Sequence, residues 1–437
     1  QGRDQRHIGE EGGPTAIVIR SSVAKGSVTA PPSKSYTHRA MVLGALTRSE
    51  FVLRRPLISE DTVATLDALK AFGADVRDTA GELTITSGGL RRASGTIDAK
   101  NSGTTMRIMT GIASLLPSTT TLTGDASLVR RPMGPLVDAL TQLGARGEYI
   151  SQPGRPPLRI NGPITGSRAR ISGTVSSQFV SSLLIACTQK EGDTKVEIDG
   201  RLTSKPYVDI TLTMLREFGA DVRVLDDGFS VPGGQHLELG TYTVPGDFSS
   251  AAFPLAAAAV TGGDVTVKNL DPRSPQGDRA ILGHLEAFGA KVTSSGDSVR
   301  VLAGALKGTT IDVRDTPDLF PVLAVLGAAA DGRTVLTGGE NLREKESDRI
   351  ATTAAFLQAM GARIVPRPDG CEILGGERLH GATVETQGDH RILMAAAIAG
   401  LISSTETRVQ DEDSYAVSYP GFLRDMHQLG CRLEVRK

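Results

Sequence analysis

Tryptophan is absent from this 437-residue chain, and aromatic residues make up only 4% of it. The core must be assembled from Ala, Val, Leu and Ile, and the stacking platforms on which single-stranded nucleic acid binds are not provided for. An excess of one charge is lacking too: 48 basic residues meet 49 acidic ones, for a net charge of −1. Nothing global neutralises a polyphosphate backbone, so an anionic partner must be met by a local cluster of Lys and Arg. Cysteine is sparse, with Cys187, Cys371 and Cys431 far apart and no Cys-x-x-Cys spacing for zinc or a redox pair. They read as isolated thiols in a reducing cytoplasm. Long apolar runs are missing as well. The longest, 319–330, contains Pro321 and is too short to span a bilayer. Residues 1–14 lack the apolar centre of a secretory signal and are expected to be a disordered leader or a cloning remnant.

What is present is a repeat. The phrase apolar-x-x-apolar-Gly-Ala-x-apolar occurs as LKAFGADV (69–76), LREFGADV (215–222), LEAFGAKV (285–292) and LQAMGARI (357–364). Weaker copies are LTQLGARG (140–147) and MHQLGCRL (426–433). The glycines Gly73, Gly144, Gly219, Gly289, Gly361 and Gly430 are 71, 75, 70, 72 and 69 residues apart. Each phrase reads as the end of an amphipathic helix, closed by a left-handed glycine, with a strand to follow. Alternating runs such as 82–86, 298–302 and 334–337 predict strands within the same units. Six α/β modules of about 70 residues are therefore expected, too long a period for a common solenoid. With this length, two domains of three modules are the natural division. Breaks are expected at TAPPS (29–33) and YTVPGD (242–247), and the strand-like stretch at 16–20 is free to return to the second half.

Between the phrases lie polar clusters at expected helix starts. PPSKSYTHR (31–39) puts Lys34, Ser35 and Arg39 in the first turns of a helix, where free N–H groups and the dipole favour an anion. It lacks the glycine frame of a Walker loop. NSGTTMR (101–107) offers Gly103, where a ligand can approach the backbone. GDASLVRRPM (124–133) carries Arg131 before a proline, and Ser176-Ser177-Gln178 and Ser204-Lys205-Pro206-Tyr207 offer short hydrogen-bonding groups. Asp318 precedes an apolar helix, NLREKESDR (341–349) has six charged residues in nine, and GDHR (388–391) sets Arg391 in another helix start. Singly, each has a plain explanation as a cap or as a solvated helix face laced with i,i+4 pairs. Together, the repeated breach of the dipole preference by Lys and Arg suggests that bound anions supply the missing negative charge.

These phrases, with PDLFPVLA (317–324) and SYPGF (418–422), occur in the order found in the enolpyruvyl transferase family, on the branch that acts on shikimate 3-phosphate, and the chain resembles that family from about residue 31 to 422. The resemblance implies an α/β fold, a two-domain inside-out barrel of six βαβαββ-like units. The first domain would be 31–244, the second 15–30 plus 245–437, and the active site the cleft between them. It implies transfer of the enolpyruvyl group of phosphoenolpyruvate to the 5-hydroxyl of shikimate 3-phosphate, releasing phosphate, as a step toward chorismate and aromatic amino acids. No metal or organic cofactor is implied, nor a nucleic-acid or membrane partner, and a cytoplasmic monomer is expected.

By the same resemblance, shikimate 3-phosphate would be held by Lys34, Ser35, Arg39, Ser176, Ser177, Gln178, Ser204, Tyr207, Asp318, Asn341 and Lys345. Phosphoenolpyruvate would be held by Lys34, Gly103, Arg131, Gln178, Arg349 and Arg391. Asp318 would be the base toward the 5-hydroxyl and Glu346 the acid toward the methylene carbon, with Lys34 beside it and His390 supporting. Two positions depart from the pattern: Val417 replaces a lysine common among relatives, and Ile108 a proline. Gly103 is retained, so room for glyphosate is expected, at a strength these departures leave open. A relative using UDP-N-acetylglucosamine would usually carry a cysteine in the 124–133 loop, where this chain has none. A non-catalytic sensor of phosphorylated metabolites would not need both Asp318 and Glu346 among the cations.

Overall fold

The computed structural model describes residues 15–436; the expected leader at 1–14 lies outside the described residues. The described residues form six four-stranded sheets. One unit runs strand Arg168–Ser172, helix Ser177–Gln189, strand Thr194–Asp199, helix Lys205–Glu217, then strands Arg223–Leu225 and Gly228–Val231. The first two strands are parallel, with Arg168 opposite Lys195, and the hairpin adds antiparallel, with Thr194 opposite Val231. This βαβαββ pattern underlies every sheet. The second helix of each unit ends at a glycine of the repeated phrase, and all six have positive φ, from 79° at Gly430 to 106° at Gly289. A side chain would be strained there, which is why glycine recurs.

The first helix of each unit is the inner one. Phe248–Thr261 and His390–Gly400 are buried almost throughout. Helices apolar on all faces can only be interior, so the sheets lie outside them. The alternation in strand Glu82–Thr86, which buries Leu83 and Ile85, fits a sheet with one face on helices and one in water. Two hydrophobic cores result. One draws on residues 36–244, the other on 17–30 and 248–433.

Three strands leave simple chain order. Ala16–Arg20 inserts antiparallel between Thr407–Val409 and Arg432–Arg436, so the start of the described chain completes its last sheet. Lys25–Thr29 pairs in parallel with Asp264–Lys268, and Thr241–Thr243 with Phe51–Arg54. The chain thus crosses between the cores twice. The crossings lie side by side: Ser33 N donates to Pro245 O at 2.8 Å and Asp247 N to Pro31 O at 2.9 Å. No described helix is long and apolar enough to cross a membrane.

Candidate active site

The inner helices of both cores begin at one cleft of about 1020 Å³, part of it continuous with solvent. Lys34, Gly103, Ser177 and His390 are first residues of their helices, and Asp247 caps a fifth. Asp318 lies in the 3₁₀ turn that leads into a sixth, beside Arg391. Converging helix N-termini present free N–H groups and positive dipole ends to the same space. The lining holds seven Lys or Arg against five Asp or Glu, in a chain whose total charge is −1.

Arg349 organises the acids. It is 1% exposed and spends its guanidinium on three carboxylates: Asp318 Oδ1 at 2.7 Å, Glu346 Oε2 at 2.7 Å and Asp389 Oδ2 at 2.9 Å. Asp318 Oδ2 also meets Arg391 Nη2 at 3.2 Å and accepts from Tyr207 Oη at 3.0 Å, although Tyr207 belongs to the other core. Glu346 Oε1 faces Arg131 Nη1 at 3.6 Å, again across the cleft. Burial pushes both acids up, but the cations more than offset it: Arg391, Lys345 and Arg349 hold Asp318 well below the usual carboxylate range, and Arg349 and Arg131 do the same to Glu346. Burial, helped by Lys34 and Arg391, pushes His390 well below its usual value, so the imidazole is neutral.

Two arginines differ. Arg39 is 2% exposed and donates to Thr211 Oγ1 at 2.7 Å and to the carbonyls of Ser35 and Tyr207, but, among the described residues, to no carboxylate. Burial lowers it to about 10. Arg107 donates to Gln178 Oε1 at 2.8 Å, lies over the Phe179 ring at 5.6 Å, and is lowered by burial to about 9. Both line the cleft. A buried cation without a counter-ion is costly, so an anion from outside is the missing partner. Gly103 serves this arrangement: a Cβ there would overlap Arg107 Nη1. The glycine makes room for a guanidinium as well as for a ligand. Ser204 caps its helix in the left-handed region, at φ 52°, with no side-chain cap bond, which is backbone strain at the cleft wall.

Every site residue expected from the sequence lines this one cleft, from Lys34, Ser35 and Arg39 through the serines, Gln178 and Tyr207 to Asn341, Lys345 and His390. The plain readings of two segments fail. Residues 341–349 are no solvated helix face: Glu340–Glu344 is a 3₁₀ turn, and the helix starts only at Arg349. Asp318 caps no helix by its side chain, because its oxygens are taken by Arg349, Arg391 and Tyr207. Part of the negative charge inferred at the Arg-bearing helix starts comes from the chain's own carboxylates. Val417 ends a 3₁₀ turn and is not among the lining residues.

Asp61, Thr104, Arg107, Asp247, Ser249 and Glu344 also line the cleft, beyond the residues expected from the sequence. Arg107 had a signal, since it sits one helical turn after Gly103. Asp61 had none: it pairs with Lys34 Nζ at 2.9 Å across 27 residues of chain. Among the described residues no group of three or more His, Cys, Asp or Glu is placed to hold a metal, and the three cysteines are buried and free.

An inside-out barrel pair with a cationic cleft and two acids held ionised within it defines an enzyme that handles small multiply charged anions. Residues 19–426 match the family model of EPSP synthase (3-phosphoshikimate 1-carboxyvinyltransferase). Proteins named 3-phosphoshikimate 1-carboxyvinyltransferase are similar over nearly their whole length: that of Methanocorpusculum labreanum is 49% identical, covering 95% of this chain and 98% of its own, and that of Methanothrix thermoacetophila is 50% identical with the same coverage. A solved structure of EPSP synthase from Acinetobacter baumannii superposes with a TM-score of 0.81 at 32% identity, over 97% of this chain and 100% of that one. The chain belongs to the EPSP synthase family.

Proposed function

We propose that this cleft joins phosphoenolpyruvate to the 5-hydroxyl of shikimate 3-phosphate and releases phosphate. The observation that carries the reading beyond family membership is the pair of buried arginines, Arg39 and Arg107, that line the cleft without a carboxylate partner among the described residues. Two polyanions bound side by side need such converging cations. Shikimate 3-phosphate takes Lys34, Ser35, Arg39, Ser176, Ser177, Gln178, Ser204 and Tyr207 from one core and Asn341 and Lys345 from the other. Phosphoenolpyruvate takes Lys34, the Gly103 backbone, Arg131, Gln178 and Arg391; Arg349, committed to three acids, has little more than one N–H left for it.

Asp318 takes the proton of the 5-hydroxyl as that oxygen bonds to C2 of phosphoenolpyruvate, while Glu346 gives a proton to C3. The resulting tetrahedral adduct collapses by losing a proton from C3 and breaking the C2–O bond to phosphate. Before substrate binds, cations hold Glu346 ionised. Polyanions arriving among those cations weaken that pull and raise the carboxyl, so the acid is armed by its own substrates. We propose further that the cores are two domains, 31–244 and 15–30 with 245–437, which close to exclude water and act as a cytoplasmic monomer without a cofactor. Phosphate release on mixing the protein with both compounds tests the reaction. Release must require both, and no release from the pair overturns the assignment, with UDP-N-acetylglucosamine the next acceptor.

A further inference from the structure

The turn Gln276-Gly277-Asp278 lies outside the set of groups that line the cleft, yet its three residues each hold a different part of the machinery. Gln276 is 6% exposed and grips the second crossing: its amide donates to Gly246 O at 2.7 Å, and its carbonyl accepts from Phe248 N at 3.0 Å. These bonds bracket Asp247, whose backbone is tied to the first crossing through Pro31 O. Gly277 faces the opposite core. A Cβ there would lie 2.8 Å from both Cβ and Cγ of Pro206, the residue between Ser204 and Tyr207 in the cleft wall, and 3.0 Å from Asp315 O. The proline ring is rigid, so a side chain at 277 forces the turn and Pro206 apart, and Asp315 O, in the turn's own core, limits how far the turn can retreat.

Asp278 reaches the charged cluster. It is 3% exposed and accepts from Ser249 Oγ, while Ser249 O accepts from Arg391 Nη1 at 3.3 Å and Arg391 Nη2 lies 3.2 Å from Asp318 Oδ2. Its other oxygen, Oδ1, is buried and has no hydrogen-bond partner among the described residues. A carboxyl group left half satisfied in the interior is destabilising, and such groups persist where a defined geometry is needed.

We propose that Gln276, Gly277 and Asp278 are positioning residues that couple approach of the two cores, met at Pro206, to the placement of Arg391 and hence of Asp318. When Pro206 seats against Gly277, the turn presses on the crossing it grips and sets Ser249, which aims Arg391. The inference rests on the reading of the cleft given above.

The test compares the parent protein with Gly277→Ala, and with Gly277→Ala combined with Pro206→Gly, which removes the opposing ring. X-ray scattering is measured on each alone, with inorganic phosphate, and with both proposed substrates. Gly277→Ala is expected to be more expanded than the parent wherever the parent is most compact, and to turn over about tenfold to a hundredfold more slowly, as expected for misplacement on the order of 1 Å. The second change is expected to restore compactness and most of the rate. Equal radii for parent and Gly277→Ala under every condition overturn the coupling, as does a defect that Pro206→Gly leaves untouched. Absence of product from the parent counts against the proposed reaction, and the scattering comparison still decides the coupling. For the anchor, Asp278→Ala is expected to lower kcat about tenfold and to raise KM for phosphoenolpyruvate, which Arg391 helps to hold, and Asp278→Asn, which keeps an acceptor for Ser249, to restore both. Equal losses in the two variants overturn the role of Asp278.

Discussion

Replacing Asp318 by Asn tests the candidate base with the smallest change of shape. The amide oxygen still accepts from Tyr207, but Arg349 and Arg391 each lose an ionised partner at 2.7 and 3.2 Å. Arg349 keeps Glu346 and Asp389, whereas Arg391 is left with the Ser249 carbonyl. Breaking a buried pair outright costs about 3–5 kcal/mol, and the surviving partners of Arg349 place this variant at roughly 3 kcal/mol or less. It should therefore fold. Loss of general-base help lowers kcat by about 10²–10⁴, equivalent to roughly 3–5 kcal/mol in the barrier. Removing one negative charge from the cleft leaves phosphoenolpyruvate affinity unchanged or stronger, because the cations are less neutralised. The assay is single-turnover phosphate release, with phosphoenolpyruvate binding by calorimetry alongside. A kcat within about tenfold of the parent, or a defect confined to KM, refutes the role given to Asp318.

Other outcomes follow from neighbouring groups. Arg39→Met removes a buried cation with no carboxylate partner, so the ligand-free protein should melt no lower than the parent, while shikimate 3-phosphate binds roughly 10- to 150-fold more weakly, the worth of a charged hydrogen bond of about 1.5–3 kcal/mol. Calorimetry and a melting curve check the two signs together. Gly103→Ala puts a Cβ into Arg107, breaking its bond to Gln178, and should raise KM for phosphoenolpyruvate on the order of tenfold in steady-state assays, with fold intact by circular dichroism. His38 and His390 are both pushed well below their usual value, chiefly by burial, so the unfolded chain takes up protons that the folded one refuses. Each therefore costs stability as pH falls below about 6.5, by about 1.4 kcal/mol per pH unit. Asp278, raised to about 7 by burial and Asp318, opposes them between about pH 4 and 7, since its folded form holds the proton more tightly. The net effect is lower stability at pH 5 than at 6.5. Denaturant titrations on the His38→Gln/His390→Gln double variant should show that slope vanish or reverse.

Much of the fold is legible because its signals are local. Gly73 and its five counterparts each end a helix in a conformation that only glycine adopts freely, so their spacing alone counts the units. Ser102, Ser176 and Asp389 cap helices through their own side chains, which is why polar clusters mark the helix starts that meet at the cleft. The candidate site residues are recognisable as a set through resemblance, since singly each cluster reads as a cap. Pairing is another matter. That Arg349 is spent on three acids, or that Arg39 has none, depends on groups brought together from distant parts of the chain.

The number of units, the glycine at each helix end and the apolar character of several helices can be read along the chain, because periodicity and capping are properties of a few consecutive residues. That strand Ala16–Arg20 completes the last sheet, that Asp61 answers Lys34 and that Gly277 meets Pro206 emerges in the folded arrangement alone. Strand pairing, charge compensation and steric fit are settled between residues tens to hundreds of positions apart, and their energies depend on distance and burial that no local spacing encodes.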